Sequence, residues 1–508
     1  MNYWVKRALQ IEDREYTRSN KLILDLEKEF ARARAGIERD INYYLERICI
    51  DNKLSYTEAK RKLKKGELEV FRLSLDDYIK KGQGVLTEVT IQELKNASNL
   101  YNISRLQAMG LEMKKHVDYL YAKYLDKTKN FLATTYEQSF YQSMYDLQMV
   151  TGVKHLTKLD NQMLEKIIKR PWLPDNKNFS DRIWENQNKL VNELQKVLMQ
   201  KAIMQTDMQE CIETLAKRMD VSFSNAKRLV QTENAYFTTQ ALTDSYKKGS
   251  CKMYENVATL DNKTSEICQS MDGTKFKFSD MEIGINAPPF HCNCRTVIVP
   301  AYNDEIEREL DEEAGRMARN PITGKTEHIS NMKYDEWYKR YVISNEKAKV
   351  IEKQYKNRHS DRKQYDNYVS VLGRETVGNI GKFKDLKYND SDKWERLKRD
   401  YSVINAINNN EDILSKNRAK ELYYKFKDEN IYASDHFIEQ FIKREFDKKG
   451  NVKLTFDKVV DLSKKEFNYI DTRNGREIKY YDGISLIIEK GKYITIRKGR
   501  LSKKWKMI

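Results

Sequence analysis

The sequence predicts a mainly α protein: an amino-terminal helical bundle, a small α+β unit, a linker, and a carboxyl-terminal α+β domain of helix plus antiparallel sheet. Three observations predict it. Apolar residues recur at three- and four-residue steps through most of the first 250 positions. Only six prolines and nineteen glycines interrupt 508 residues. The texture then switches to short alternating runs and turn dipeptides twice, between Lys252 and Tyr302 and again after 428.

A chain of this length exceeds one ordinary core. With 40% hydrophobic and 33% charged residues, it suits long helices with thin apolar stripes better than a compact enzyme. The net charge of +17 favours polyanionic partners, nucleic acid before membrane, although a Lys-rich background composition accounts for it equally well. No apolar run approaches bilayer length, so no membrane partner is expected. The opening Met1-Asn2-Tyr3-Trp4-Val5-Lys6-Arg7 lacks the apolar centre of a secretory signal. A reducing cytoplasm is therefore expected, with the six cysteines not forming a disulfide framework.

From Ser19 to Ile48 a narrow helical stripe runs through Ile23, Leu26, Phe30, Ile37, Ile41, Leu45 and Ile48. Ser55-Tyr56-Thr57-Glu58 reads as a capping box opening a helix that continues through Leu63, Leu68, Phe71, Leu75, Tyr78 and Ile79. Further helices are expected from Ile91 to Met109 and from about Leu111 to Met149, closing a bundle over residues 1–155. Pro171-Trp172-Leu173-Pro174 punctuates the chain, a helix with Ser180 or Asp181 as its cap is expected to start within Asn178–Trp184, and helical spacing continues to about Lys248. The β-like runs Val257–Leu260 and Thr296–Val299 then flank a turn-rich stretch, which completes a motif domain over 156–302. Residues 303–345 read as an acidic helix, a turn at Asn320–Gly324 and a linker; 346–428 read as weakly helical. The domain 429–508 holds a helix near Ser434 and three to four strands, with Asn474-Gly475 as a hairpin turn.

Four of the six cysteines fall between 251 and 294. Around them stand Asp261, Thr264 and Cys268, then Asp272-Gly273, then Pro288-Pro289-Phe290-His291-Cys292-Asn293-Cys294-Arg295. Upstream lie the pair Thr232-Glu233 and Gly249. This ordered set resembles the phage head morphogenesis (minor head protein) family, whose pattern runs from a Thr-Glu pair through D-x-x-T-x-x-x-C and D-G to P-P-x-H-x-x-C-R. Residues 1 to about 345 share the resemblance, including Arg170-Pro171-Trp172, and depart from it at Gln231, where Arg is common. It implies assembly work at the portal vertex of the procapsid, contact with the portal protein, other capsid proteins and packaged DNA, and a place inside the virion.

Cys268, His291 and Cys294, with Cys292 or Asp261 as a fourth group, have the chemistry of a zinc site, since Zn²⁺ takes thiolate and imidazole in a tetrahedron. No C-x-x-C knuckle is present, and a β unit with buried free thiols and a hydrogen-bonded His explains the same residues. A catalytic Cys–His pair is disfavoured by the assembly role that the resemblance implies.

Residues 431–508 carry 19 Lys and Arg against 11 Asp and Glu. On the helix opening at Ser434, Phe437, Ile438, Phe441 and Ile442 make a buried face, while His436, Glu439, Gln440 and Lys443 share the other. By simple alternation Tyr493, Thr495 and Arg497 lie on one face of the last strand. A helix bearing His followed by a small sheet ending in Thr-x-Arg resembles the barnase-like nuclease toxin domains fused to some phage minor head proteins. The resemblance implies metal-independent RNA cleavage. In that chemistry His436 would serve as acid or base, Arg497 with Lys443 or Arg444 would stabilise the phosphorane, and Thr495 or Tyr493 would hydrogen-bond the phosphate. The alternative is an assembly protein whose last domain only binds nucleic acid.

Overall fold

The computed structural model describes residues 3–152, 158–301, 315–413, 415–446 and 453–508, which fall into two units, Met1–Ala348 and Lys349–Ile508. The mainly α layout with a carboxyl-terminal antiparallel sheet is as the sequence predicts. The acidic helix expected just after 302 lies outside the described residues.

The first unit holds α1 (Tyr3–Ile48), α2 (Lys65–Lys81), α3 (Glu88–Ser98), α4 (Arg105–Thr151), α5 (Phe179–Ile203) and α6 (Met208–Lys248). Helices α1, α4 and α6 pack along one another, and every residue of the predicted α1 stripe is buried. One apolar core runs from Trp4 to Val299, so the bundle does not close at 155; α5 and α6 complete it. Two predicted helices are interrupted. Ser55 caps only the turn Tyr56–Ala59, and Ile91–Met109 breaks after Ser98. The cause is non-local. Leu63 N donates to Ile103 O and Arg105 N to Arg61 O, both at 2.9 Å, so the two stretches pair with each other instead of coiling. Ser104 and Gln107 then cap α4. The cap of α5 is Asn178, not Ser180 or Asp181, since its side chain accepts from Ser180 N and Asp181 N.

Behind the bundle, β1 (Met253–Val257) lies between β2 (Lys275–Lys277) and β3 (Val297–Ala301), all antiparallel, with Val257 opposite Val297. A short helix, α7 (Glu266–Met271), starts on a Ser265 cap between β1 and β2. The stretch 315–345, expected as a tether, is instead packed. It forms the hairpin β4 (Arg316–Arg319) and β5 (Thr326–Ile329), then α8 (Tyr334–Trp337). Ala318, Met332, Tyr334 and Trp337 bury against Leu260, and Arg316 is buried on Asp272, which is why this segment is not a linker.

In the second unit, α9 (Arg358–Leu372), α10 (Ile380–Asn389), α11 (Ser391–Asn409) and α12 (Lys416–Asp428) precede α13 (Asp435–Glu445) and α14 (Phe456–Ser463). Strands β6 (Tyr469–Asp471), β7 (Glu477–Tyr481), β8 (Ile484–Glu489), β9 (Lys492–Lys498) and β10 (Trp505–Met507) form one antiparallel sheet in the order β9-β8-β7-β6-β10. A single core joins Tyr365, Ile404 and Phe426 to Phe437, Leu486 and Ile496. The helices after 357 are therefore part of the carboxyl-terminal body, not a weak segment leading to it.

Candidate functional site

Aspartates anchor the motif segment. Asp261 accepts both Arg295 guanidinium nitrogens, at 2.6 and 2.8 Å, together with Lys263 N at 2.9 Å and Thr264 Oγ1 at 3.1 Å. Burial pulls its carboxyl upward, but the Arg295 and Lys263 hydrogen bonds outweigh that and leave it below the usual aspartate range. Asp272 accepts Ala258 N at 2.7 Å, Tyr334 N at 2.9 Å and both Arg316 nitrogens, at 2.6 and 2.9 Å. Gly273 turns the chain at φ +74°, where an L side chain is strained, and its N–H bonds Asn256 O at 2.8 Å. The Asp-Gly pair is thus a buried turn that ties β1 to β4 and α8.

The Thr-Glu pair on α6 joins the same assembly. Asn293 N donates to Thr232 Oγ1 at 3.2 Å, which holds the 288–295 loop on the helix. Glu233 is 1% exposed, and burial raises its carboxyl to about 7 against the hydrogen bond from Trp172 Nε1 at 3.0 Å. Trp172 also stacks on Tyr236 at 4.6 Å between centroids. Trp172, Thr232 and Glu233 line a cleft of about 380 Å³ with Arg182, Lys189, Arg228 and the exposed Cys292. Gly249 ends α6, and a Cβ there would meet Leu147 at 2.9 Å.

Cys268 on α7 and Cys294 after the Pro288-Pro289 turn are buried, with Sγ atoms 3.7 Å apart, and His291 Nε2 lies 3.2 Å from Cys268 Sγ. Hydrogen bonds from Cys294 and His291 lower the Cys268 thiol against burial, and the same contact with burial raises Cys294. Cys292 faces the α6 cleft, and Asp261 is taken by Arg295, so neither joins this trio. All six cysteines are free thiols.

In the second unit the α13 face forms as spaced. His436, 52% exposed at its side chain, meets Glu439 Oε2 through Nδ1 at 3.2 Å, and Lys443 Nζ reaches Glu439 Oε1 at 2.7 Å. Burial works to raise Glu439, but hydrogen bonds from Lys443, Asn410 and His436 prevail and hold it at about 2, fully ionised. Arg444 is lowered by burial and then by the nearby charge of Arg497. Neither forms an ion pair among the described residues.

Tyr493 is not where simple alternation places it. The β8–β9 register shifts between Ile487 and Ile488, so Tyr493 pairs with Ile488 and Thr495 with Ile487. Ile494 is the extra residue of a bulge. Tyr493 therefore joins Ile496 on the core side, edge-on to Phe437 at 5.8 Å, while buried Thr495 and exposed Arg497 keep the other face. Sequence reasoning missed Trp172 and Arg316 as partners of Glu233 and Asp272; no local spacing signals either.

Residues 192–299 match the family model described as Phage Mu protein F like protein. The match takes in the Thr-Glu pair, both aspartates, the three clustered ligand-type residues and Arg295, and it supports the head-morphogenesis relationship. Searches of curated proteins and of solved structures return no match. No helix among the described residues is long and apolar enough to cross a membrane.

Proposed function

We propose that this is a phage or prophage minor head protein, acting in procapsid assembly at the portal vertex beside packaged DNA, with a ribonuclease-like unit at its carboxyl end. The observation that carries the assembly reading is what the family-type residues do. Asp261 and Asp272 are buried and spent, with Arg295 and Arg316, on structural ion pairs that hold the segment's turns together. A family-type motif that builds a shape suits a protein whose task is to fit other proteins. The +17 charge agrees with a place beside DNA, and the proposed partners are the portal protein, other capsid proteins and DNA.

The nuclease reading rests on the α13 face. His436, oriented through Nδ1 by an ionised Glu439, keeps Nε2 for proton transfer, and Arg444 with Arg497 offers positive charge to a phosphate. The reaction is attack of a ribose 2′-oxygen on the adjacent phosphorus. Its proton passes to a base, the 5′-oxygen leaves with a proton from an acid, and a 2′,3′-cyclic phosphate remains. His436 handles one of these protons through Nε2 while Glu439 only holds its Nδ1, solvent water handles the other, and no cofactor is needed.

Two experiments test these readings. A lysogen lacking this chain should yield few DNA-filled heads, and supplying the full chain should restore them; undiminished heads would remove the assembly role. The full chain incubated with tRNA in EDTA should cleave it, and His436→Ala and Arg497→Ala should not. Salt-sensitive binding without cleavage would leave the carboxyl unit as a nucleic-acid clamp on an assembly protein.

A further inference from the structure

The trio Cys268, His291 and Cys294 is the one group of His, Cys and acidic side chains, among the described residues, whose ligand atoms all lie within 4.8 Å of one another. We infer that it is a zinc site that staples the 288–295 loop to α7. Three features of the geometry carry this.

The first is the sulfur spacing. A tetrahedral ion with Zn–S bonds of about 2.3 Å has an S–S edge of roughly 3.8 Å. The Sγ atoms of Cys268 and Cys294 stand 3.7 Å apart, far beyond disulfide length and at the edge a shared ion demands. The Cys268 Sγ to His291 Nε2 distance, 3.2 Å, is a little short of the mixed S–N edge, so the imidazole moves only slightly to ligate.

The second is the tautomer. His291 Nδ1 lies 2.7 Å from the carbonyl oxygen of Cys292, which can only accept, so Nδ1 carries the proton. Nε2 faces the sulfurs, where a metal that displaces its proton meets the ring's lone pair. A backbone carbonyl on the far nitrogen is the usual support for a metal-bound histidine.

The third is the surroundings. Both cysteines are buried, at 2% and 3% exposure, which suits a ligand and not a nucleophile that must touch substrate. Their apolar cluster is small, consisting of Ala258 and the two cysteines with Phe290 against them. A loop with so little core gains from a staple. Buried Thr296 lies beside Cys268, where its hydroxyl favours the thiolate. The chain thus supplies two thiolates and one imidazole, a set that selects Zn²⁺ over hard cations.

The test uses the full chain, purified without chelator and dialysed, with zinc measured by mass spectrometry. One zinc per chain is expected, falling to a tenth or less in Cys268→Ser and Cys294→Ser and staying whole in Cys211→Ser. Because a cysteine variant can fail to fold, each is checked by circular dichroism, and Co²⁺ replacement gives an independent readout. The parent should show tetrahedral visible bands and thiolate-to-cobalt absorption, and His291→Cys should keep metal and intensify that absorption. A folded chain that holds no zinc and gives no tetrahedral cobalt spectrum overturns the proposal, as does full zinc content in folded Cys268→Ser. Head assembly and RNA cleavage are read separately, so failure here leaves the proposed function standing.

Discussion

Arg316 and Asp272 form a buried two-pronged ion pair, with Nη2 2.6 Å from Oδ1 and Nη1 2.9 Å from Oδ2. The same guanidinium donates to Met332 O, and Asp272 also accepts Ala258 N and Tyr334 N, so one contact joins β1, β4 and α8. Arg316→Met should destabilise the first unit by about 3–5 kcal/mol, the usual cost of leaving one buried charge unpaired. Restoring charge with Arg316→Lys should recover only part, because an ammonium cannot bond both carboxylate oxygens in that plane. Urea unfolding of the full chain, followed at its first transition, measures both. Equal stability of parent and Arg316→Met would deny the pair its role.

How much of this was legible follows from range. The α1 stripe was read residue by residue because helical periodicity is local. The breaks at 60–64 and 99–104 were not, since each exists only through pairing with the other. Asp272-Gly273 was seen as a turn, but its arginine lies 44 residues on, past any local pattern. Tyr493 was misplaced because alternation presumes an unbroken ladder, and the bulge at Ile494 changes the face without changing composition.

Gly36 tests the crossing of α1 and α4. A Cβ there would lie 2.5 Å from His116 Cε1 and 2.7 Å from Nδ1. That ring is fixed by Asp40, 2.8 Å from Nε2, and stands edge-on to Tyr78. In an open helix Gly→Ala gains about 1 kcal/mol. Here Gly36→Ala should lower stability by roughly 1–3 kcal/mol, because overpacking outweighs propensity. A raised melting temperature would show that the ring yields freely.

Tyr493 separates core from chemistry. Placed against Phe437 on the core side, it should tolerate Tyr493→Phe with RNA cleavage or binding unchanged. Tyr493→Ala should cost about 3–5 kcal/mol through the cavity it leaves. Arg497→Ala should do the reverse, sparing the melt and removing the nucleic-acid signal. Loss of that signal in a stably folded Tyr493→Phe chain would return the hydroxyl to the site.

Glu233 gives the first unit a pH dependence whose direction can be worked out. Burial raises its carboxyl from the ordinary value to about 7, opposed by Trp172 and by the nearby charge of Arg182, with Asp175 adding to the rise. Between the ordinary glutamate range and about 7, the folded chain therefore binds a proton that the unfolded chain has released. Stability contributed by this group is present below that window, falls as pH rises through it, and is flat above. Glu233→Gln keeps an acceptor for Trp172 Nε1 and removes the titration. The variant should match the parent near pH 4 and exceed it by on the order of 1–3 kcal/mol at pH 8. Other acids, Glu12 and Glu112 among them, are also raised by desolvation, so the difference between the two chains is the quantity to measure, not either curve alone. A difference that stays constant from pH 4 to 8 would mean that Glu233 is ionised throughout and that its burial is compensated.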